Sequence, residues 1–188
     1  MDGKTWNALV GIAKDTHTEL MRQTGTVIPP TLFALKDGQL LGYVRLRGVY
    51  VGEDARGGIA EMSTFAAAAA ADEIVVAWET QDIAVACDLV PLHPDSAVNV
   101  LAASRRRHWV YRYPYAEQQL PGRTEHGQIP CQPRWLPEPP PVDRGELEPS
   151  IEALMKFSFE PFDGASDRES AAYWLEEHGY TVRLTNPE

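Results

Sequence analysis

The chain has 188 residues, of which 44% are apolar and 23% are charged, and its formal net charge is −10. These proportions are typical of a globular protein with a real core, and the acidic balance disfavours binding to duplex nucleic acid, which needs many Lys and Arg contacts to phosphate. The longest apolar run is shorter than the roughly 20 residues of a membrane span. Only two cysteines are present, and the N-terminal sequence lacks a signal-peptide pattern, so we expect a cytoplasmic protein without a membrane span.

The first part of the chain predicts a helix followed by a β-hairpin. Apolar residues recur at spacings of three and four over residues 4–24, which is typical of an amphipathic helix that ends before Gly25. Residues 31–46 contain two apolar runs around Asp37-Gly38, a pair that favours a type I′ turn. We therefore expect one helix and then two antiparallel strands.

The middle of the chain predicts a second helix, two single strands and a second hairpin. The alanine-rich residues 54–71 favour a helix, and residues 74–80 have the β-branched character of a buried strand. Residues 82–90 predict another strand. The second hairpin pairs 97–103 with 108–113 around an arginine-rich turn.

We expect an α+β fold, with a mostly antiparallel sheet built from the two hairpins and helices packed on one face of it. The main domain covers residues 1–115. Residues 116–149 are rich in proline and predict a loop or linker. Residues 150–188 predict a C-terminal helix-strand unit that packs on the main domain, with its last helix stopped by Gly179.

The second hairpin carries the strongest candidate binding site. Guanidinium groups bind carboxylates and phosphates and stack on aromatic rings, so the pattern predicts a site for an anion. Its candidate ligand-binding residues are Arg105, Arg106, Arg107, Trp109, Tyr111 and Arg112. Alternate strand residues point to opposite faces, which separates Arg112 from the two aromatic residues. The simpler alternative is that the arginines cover an exposed turn while the aromatic side chains pack against a sheet face.

A second group of residues would be catalytic if the protein is an enzyme. His93, Asp95 and His108 are acid-base groups, the first two lie in one loop, and Arg112 would complete the set. Their spacing supplies no set of three or four metal ligands, so we expect no metal and no cofactor. The alternative for the loop is that Asp95 or Ser96 only satisfies a backbone turn.

The charge is distributed unevenly along the chain. Residues 97–134 contain six basic and two acidic residues, whereas the segments on either side are acidic. The flanks either neutralise the basic hairpin, through Glu146, Glu148 or Glu152, or restrict it to a small anionic partner.

Two stretches of sequence support a resemblance. ADEIVVAWET (71–80) and HPDSAVNVLAAS (93–104) follow a hairpin and an alanine-rich helix. In this order they resemble small α+β proteins of actinobacteria and actinobacteriophages, although Asp95-Ser96 stands where that group has Asp-Arg. The resemblance implies a bacterial or phage-encoded cytoplasmic protein and brings no activity with it.

We therefore expect a cytoplasmic binding or interaction protein that holds a small anionic ligand or an acidic protein partner at the arginine hairpin. One alternative is a small hydrolase or nucleotide-processing enzyme that uses His93, Asp95 and His108. The other is a structural or assembly protein, and the sequence is compatible with a homo-oligomer.

Overall fold

The computed structural model describes residues 1–161 and 167–185, which form an α+β fold. The helices are α1 (Gly3–Gln23), α2 (Glu53–Glu61), α3 (Ser63–Ala68), α4 (Thr80–Ala86), α5 (Pro149–Phe157) and α6 (Arg168–Glu177). The strands are β1 (Thr31–Lys36), β2 (Gln39–Arg45), β3 (Glu73–Glu79), β4 (Ala97–Ser104), β5 (His108–Gln119), β6 (Cys131–Trp135), β7 (Val142–Asp143) and β8 (Thr181–Leu184). The predicted α+β class is confirmed.

A single antiparallel sheet organises the fold. Its strand order is β6-β5-β4-β3-β1-β2-β8, and the short strand β7 also pairs with β5. Both predicted hairpins are present, as β1-β2 and β4-β5, with β3 between them. The turn of the first hairpin has positive φ at Asp37 (53°) and Gly38 (76°), as a type I′ turn requires.

Helices cover both faces of the sheet, whereas the sequence predicted helices on one face. Strand residues alternate between two separate apolar clusters. One cluster joins α1 to strand residues such as Phe33 and Val75. The other joins α2, α3, α4, α5 and α6 to residues such as Val76 and Leu101. Because the central strands are apolar on both faces, one helical layer could not cover the sheet.

The predicted helix over 54–71 is divided into α2 and α3 at Met62, whose amide donates to Ile59 in a tighter turn. The break allows Ile59, Met62 and Phe65 all to be fully buried. The helical conformation of the alanine run is lost after α3, and φ reaches 48° at Ala70.

The strand predicted over residues 82–90 is wrong, because this segment begins as α4. The Glu79 carboxylate at the end of β3 accepts hydrogen bonds of 2.7 Å from the amides of both Gln81 and Asp82. This N-terminal cap turns the chain into a helix as soon as the strand ends. Ile83 of α4 is then buried in the larger apolar cluster.

Part of the proline-rich segment 116–149 belongs to the sheet. Strand β5 continues to Gln119 and pairs with β6, and β7 then pairs with the first residues of β5. Trp135 of β6 packs on Tyr115, with ring centroids 5.8 Å apart. The prolines therefore lie between and within short paired strands at the sheet edge.

The C-terminal helix-strand unit extends the sheet. Asp167 caps α6 by accepting from the amide of Ser170 at 2.9 Å, and Gly179 ends the helix with φ of 89°. Strand β8 then pairs with β2. The buried Tyr180 hydroxyl lies 2.9 Å from the Gly58 carbonyl and 2.6 Å from the Glu61 carboxylate, which ties the unit to α2. No helix within the described residues is long and apolar enough to cross a membrane.

Candidate functional site

The structure divides the predicted arginine-aromatic site between the two faces of the sheet. Tyr111 and Tyr113 pack in the cluster beneath α1, whereas Val110 packs in the opposite cluster. Arg112 follows the alternation and lies on the face of Val110. The six predicted residues therefore do not form one binding site.

The turn arginines project into solvent. Arg105 and Arg106 are exposed. Arg107 donates two hydrogen bonds to the Asp143 carboxylate, at 2.8 and 3.0 Å, and its guanidinium carbon lies 4.5 Å from the Trp109 ring centroid. The Arg107 hydrogen bonds lower the pKa of Asp143 below its usual range. Arg107 thus fastens β7 to the hairpin, and the acidic partner is Asp143 rather than the glutamates considered from sequence.

The aromatic face of β5 is covered by α1. The Tyr111 ring lies 4.4 Å from the ring of Trp6, and the ammonium group of Lys14 lies 4.9 Å from the ring of the buried Tyr113. These contacts match the simpler alternative, in which the aromatic side chains pack a sheet face. Base stacking on this face would require α1 to move away.

Arg112 lies in a polar row on the opposite face. Trp78, Asn99 and Arg112 are direct cross-strand partners on β3, β4 and β5. Asn99 donates a hydrogen bond of 2.8 Å to the Thr80 hydroxyl. By contrast, Nε and Nη2 of Arg112 and Nε1 of Trp78 are buried and have no hydrogen-bond partner among the described residues.

Glu148 faces this row from the residue before α5. It is 4% exposed, and its Oε2 atom is buried without a hydrogen-bond partner in the described part of the chain. Burial raises the pKa of Glu148, and the positive charge of Arg112 opposes this rise. The half-buried Arg112 and the buried Glu148 carboxylate therefore interact electrostatically, although the described residues show no ion pair between them within 4.0 Å.

A cavity of about 230 Å³, called here the Arg112 cavity, opens beside this arginine. One side is formed by the strap, defined as residues 136–148, which connects β6 to α5 and contains β7. The cavity is lined by His93, Val110, Arg112, Pro139, Pro140, Val142, Gly145 and Glu146. It therefore combines apolar walls with a cation, an imidazole and a carboxylate.

The strap is held close to β5 by Gly145. A Cβ atom added at Gly145 would lie 3.0 Å from Cγ2 of Val110 and 3.3 Å from Cβ of Val142. The Gly145 carbonyl is 3.0 Å from Nε2 of His108, which fixes one predicted catalytic histidine to the strap. A larger residue at position 145 would move the outer wall of the cavity.

The predicted catalytic residues converge only in part. His93 is exposed but lines the Arg112 cavity, and partial desolvation followed by the charge of Arg112 lowers its pKa below the usual range. His108 reaches the cavity only through Gly145, and the exposed Asp95 is not among the lining residues. In the described ranges, no group of three or more His, Cys, Asp and Glu side chains could hold a metal ion.

From the sequence we expected Arg112 to act with His93, Asp95 and His108 if the protein is an enzyme, and two of these four, His93 and Arg112, line the same cavity. Glu146 and Glu148 were expected only as ion-pair partners for the turn arginines, and Trp78 had no expected role. A signal for the row existed in the alternation of β5, which places Arg112 away from the aromatic side chains. The strap is brought to that face by the pairing of β7 with β5, and no local sequence pattern predicts this pairing.

No family model matches the chain, and no curated protein or solved structure is significantly similar to it. The geometry of the Arg112 cavity is the feature of the molecule that bears on its function.

Proposed function

We propose that the chain is a binding protein that holds a small anionic ligand, with a carboxylate or phosphate group, at the Arg112 cavity. The supporting observation is Arg112, a half-buried arginine that lines the cavity and whose Nε and Nη2 atoms have no hydrogen-bond partner among the described residues. This proposal keeps the anion predicted from sequence and moves its site from the hairpin turn to one strand position.

The physical reason is the cost of leaving a buried charge unpaired. A buried polar group without a hydrogen bond costs roughly 1–3 kcal/mol, and a buried charge costs more. The planar guanidinium can donate two parallel hydrogen bonds to a carboxylate or phosphate, which satisfies both groups at once. Pockets for drug-sized ligands measure about 300–1,000 Å³, so a cavity of about 230 Å³ suits a small ligand.

The test is calorimetric titration of the whole chain with acetate and with inorganic phosphate. Replacement of one charge-assisted donor should weaken anion binding by about 10-fold to 100-fold, so Arg112→Gln is expected to show a loss of that size. The matched control is the double variant Arg105→Gln/Arg106→Gln, which removes two exposed arginines and should bind as the wild type does.

Two results would contradict the proposal. If the wild type binds no small compound that carries a carboxylate or phosphate group, with acetate and phosphate as the first probes, the cavity is not a site for such a group. If the turn variant loses binding while Arg112→Gln retains it, the ligand lies at Arg105 and Arg106, as the sequence predicted.

A second candidate function is a small hydrolase or nucleotide-processing enzyme, because His93 lines the same cavity as Arg112. The depressed pKa of His93 keeps its imidazole neutral near neutral pH, which is the form that a general base requires. Replacement of His93 by Ala distinguishes the two functions. A binding protein retains anion affinity and has no turnover to lose, whereas an enzyme retains affinity and loses hydrolysis of a chromogenic phosphate or carboxylate ester.

Four expectations remain predictions. They are the cytoplasmic location, the likeness to actinobacterial and phage proteins, an acidic protein partner and a homo-oligomer with an assembly role. Light scattering of the purified chain tests the last of these directly.

A further inference from the structure

We infer that the ligand of the Arg112 cavity is a zwitterion with a carboxylate and an ammonium group, of the chemical class of a small aliphatic α-amino acid. This inference rests on the proposed function, since it names the ligand class of the same site. It is carried by the mixed charge of the cavity, which is lined by both Arg112 and Glu146.

The arrangement of charges disfavours a simple anion. Glu146 lines the cavity, and Glu148 is buried near Arg112 within the same field. A phosphate dianion at the guanidinium would therefore meet one or two carboxylates of like charge, which raises its free energy in a partly buried site. A ligand that carries its own ammonium group converts Glu146 from a repulsive neighbour into a partner.

The remaining charged and titratable groups around the cavity agree with this charge pattern. His93 is held neutral by partial desolvation and by Arg112, so it adds a hydrogen-bonding ring without a second positive charge. Asp95 and Glu146 are the acidic groups that act on His93. The cavity therefore presents one cation for an acid group and a nearby acidic surface for an amine.

The apolar walls of the cavity favour a ligand with an aliphatic side chain. Val110, Val142, Pro139 and Pro140 provide apolar surface between the charged groups. An aliphatic side chain of a few carbons would cover these walls, and each buried methylene contributes roughly 0.8 kcal/mol in general. The volume of about 230 Å³ accommodates a ligand of this size.

The experiment compares matched probes by calorimetric titration of the whole chain. The probes are glycine, L-alanine, L-valine, 3-methylbutanoate (valine without the amine), isobutylamine (valine without the carboxylate) and inorganic phosphate. We expect L-valine to bind about 10-fold or more tightly than 3-methylbutanoate or isobutylamine, because each lacks one charge-assisted hydrogen bond.

Two variants test which residue binds the ammonium group of the ligand and which binds its carboxylate. Glu146→Gln should weaken L-valine by about 10-fold and should strengthen 3-methylbutanoate, because the variant removes a partner of the ammonium group and a carboxylate that repels the anion. Arg112→Gln should weaken both compounds. Glu138→Gln is a matched control, since Glu138 is an exposed strap carboxylate that pairs with Lys14 and is not among the cavity-lining residues.

The outcomes separate this inference from the proposed function. If phosphate or 3-methylbutanoate binds as tightly as L-valine and Glu146→Gln changes nothing, the zwitterion inference is wrong and the anion site stands. If none of the amino acids binds while acetate does, the zwitterion inference is again wrong and the anion site again stands. If Arg112→Gln leaves the binding of every probe unchanged, both are wrong.

Discussion

His17 provides a sharp test of how burial controls the stability of this fold. The side chain, on the buried face of α1, is 0% exposed, with its ring centroid 4.6 Å from that of Tyr115 and 5.9 Å from that of Trp135. Its Nδ1 atom accepts from the amide of Ile28 at 3.3 Å, while Nε2 has no partner among the described residues. Burial lowers the pKa of His17 from 6.5 to about 4.

The sign and size of the effect follow from proton linkage. Because the folded pKa lies below the unfolded value, the unfolded chain binds the proton first as the pH falls. The contribution of neutral His17 to the free energy of unfolding is fully present above the unfolded pKa of 6.5 and is lost as the pH falls towards about 4. At 1.36 kcal/mol per pKa unit, the titration of His17 should lower the free energy of unfolding by about 2 kcal/mol from about pH 7 to about pH 5, and by about 3 kcal/mol by about pH 4.

The assay is urea unfolding of the wild type and of His17→Asn at both pH values. Asparagine does not titrate, and its side-chain oxygen can replace Nδ1 as the acceptor for Ile28. The loss of unfolding free energy from about pH 7 to about pH 5 should be about 2 kcal/mol smaller in the variant. Comparing the two proteins cancels the titration of the carboxylates they share.

A matched control is His126→Asn, which replaces an exposed histidine. This variant should follow the wild type at both pH values. Equal pH dependence in the wild type and His17→Asn would refute the reasoning, since it would mean that protonated His17 is accommodated in the folded protein.

Three further predictions concern stability in urea unfolding without ligand. The double variant Arg112→Met/Glu148→Met should leave the unfolding free energy within about 1 kcal/mol or raise it, because both unpaired ionic groups are removed together. A loss of several kcal/mol would mean that Arg112 and Glu148 act as a structural pair. Gly42→Ala should lower the unfolding free energy by about 2–3 kcal/mol, because its Cβ would lie 2.5 Å from a carbonyl oxygen of β8. The control Gly48→Ala places its Cβ in open space, so an equal loss in both variants would contradict this packing. Tyr180→Phe should cost about 1–2 kcal/mol through its lost hydrogen bonds, and an unchanged stability would show that they contribute nothing.

The elements that sequence predicted well are those defined by neighbouring residues. Asp37-Gly38 specifies its own turn, and Gly179 ends its own helix. The segment 82–90 was misassigned because its outcome depends on Glu79, a buried carboxylate at the end of the preceding strand that caps two helix amides. An apolar alternation of this length fits a strand as well as a short helix, and the cap decides between them.

Of the cavity-lining residues, Arg112 and His93 were predicted from the sequence as members of a site. The alternation of side chains along a strand is enough to place Arg112 and Tyr111 on opposite faces of β5. The other side of the cavity comes from the strap, which contains Glu146 and is brought there by the pairing of β7 with β5. A contact between two segments so far apart in the chain depends on the whole sheet, and composition alone predicted only a proline-rich loop.

The pairing of β2 with β8 has a consequence for how the protein is made. Gly42 is aligned with Leu184, so β8, the last described strand, covers the edge of β2. The first hairpin is synthesised long before β8. Until β8 is made, the outer edge of β2 has unpaired backbone groups that can pair with other chains. Contacts between such distant residues slow folding, so this edge depends on completed synthesis, and a nascent chain stalled before residue 181 should aggregate more readily than the finished one.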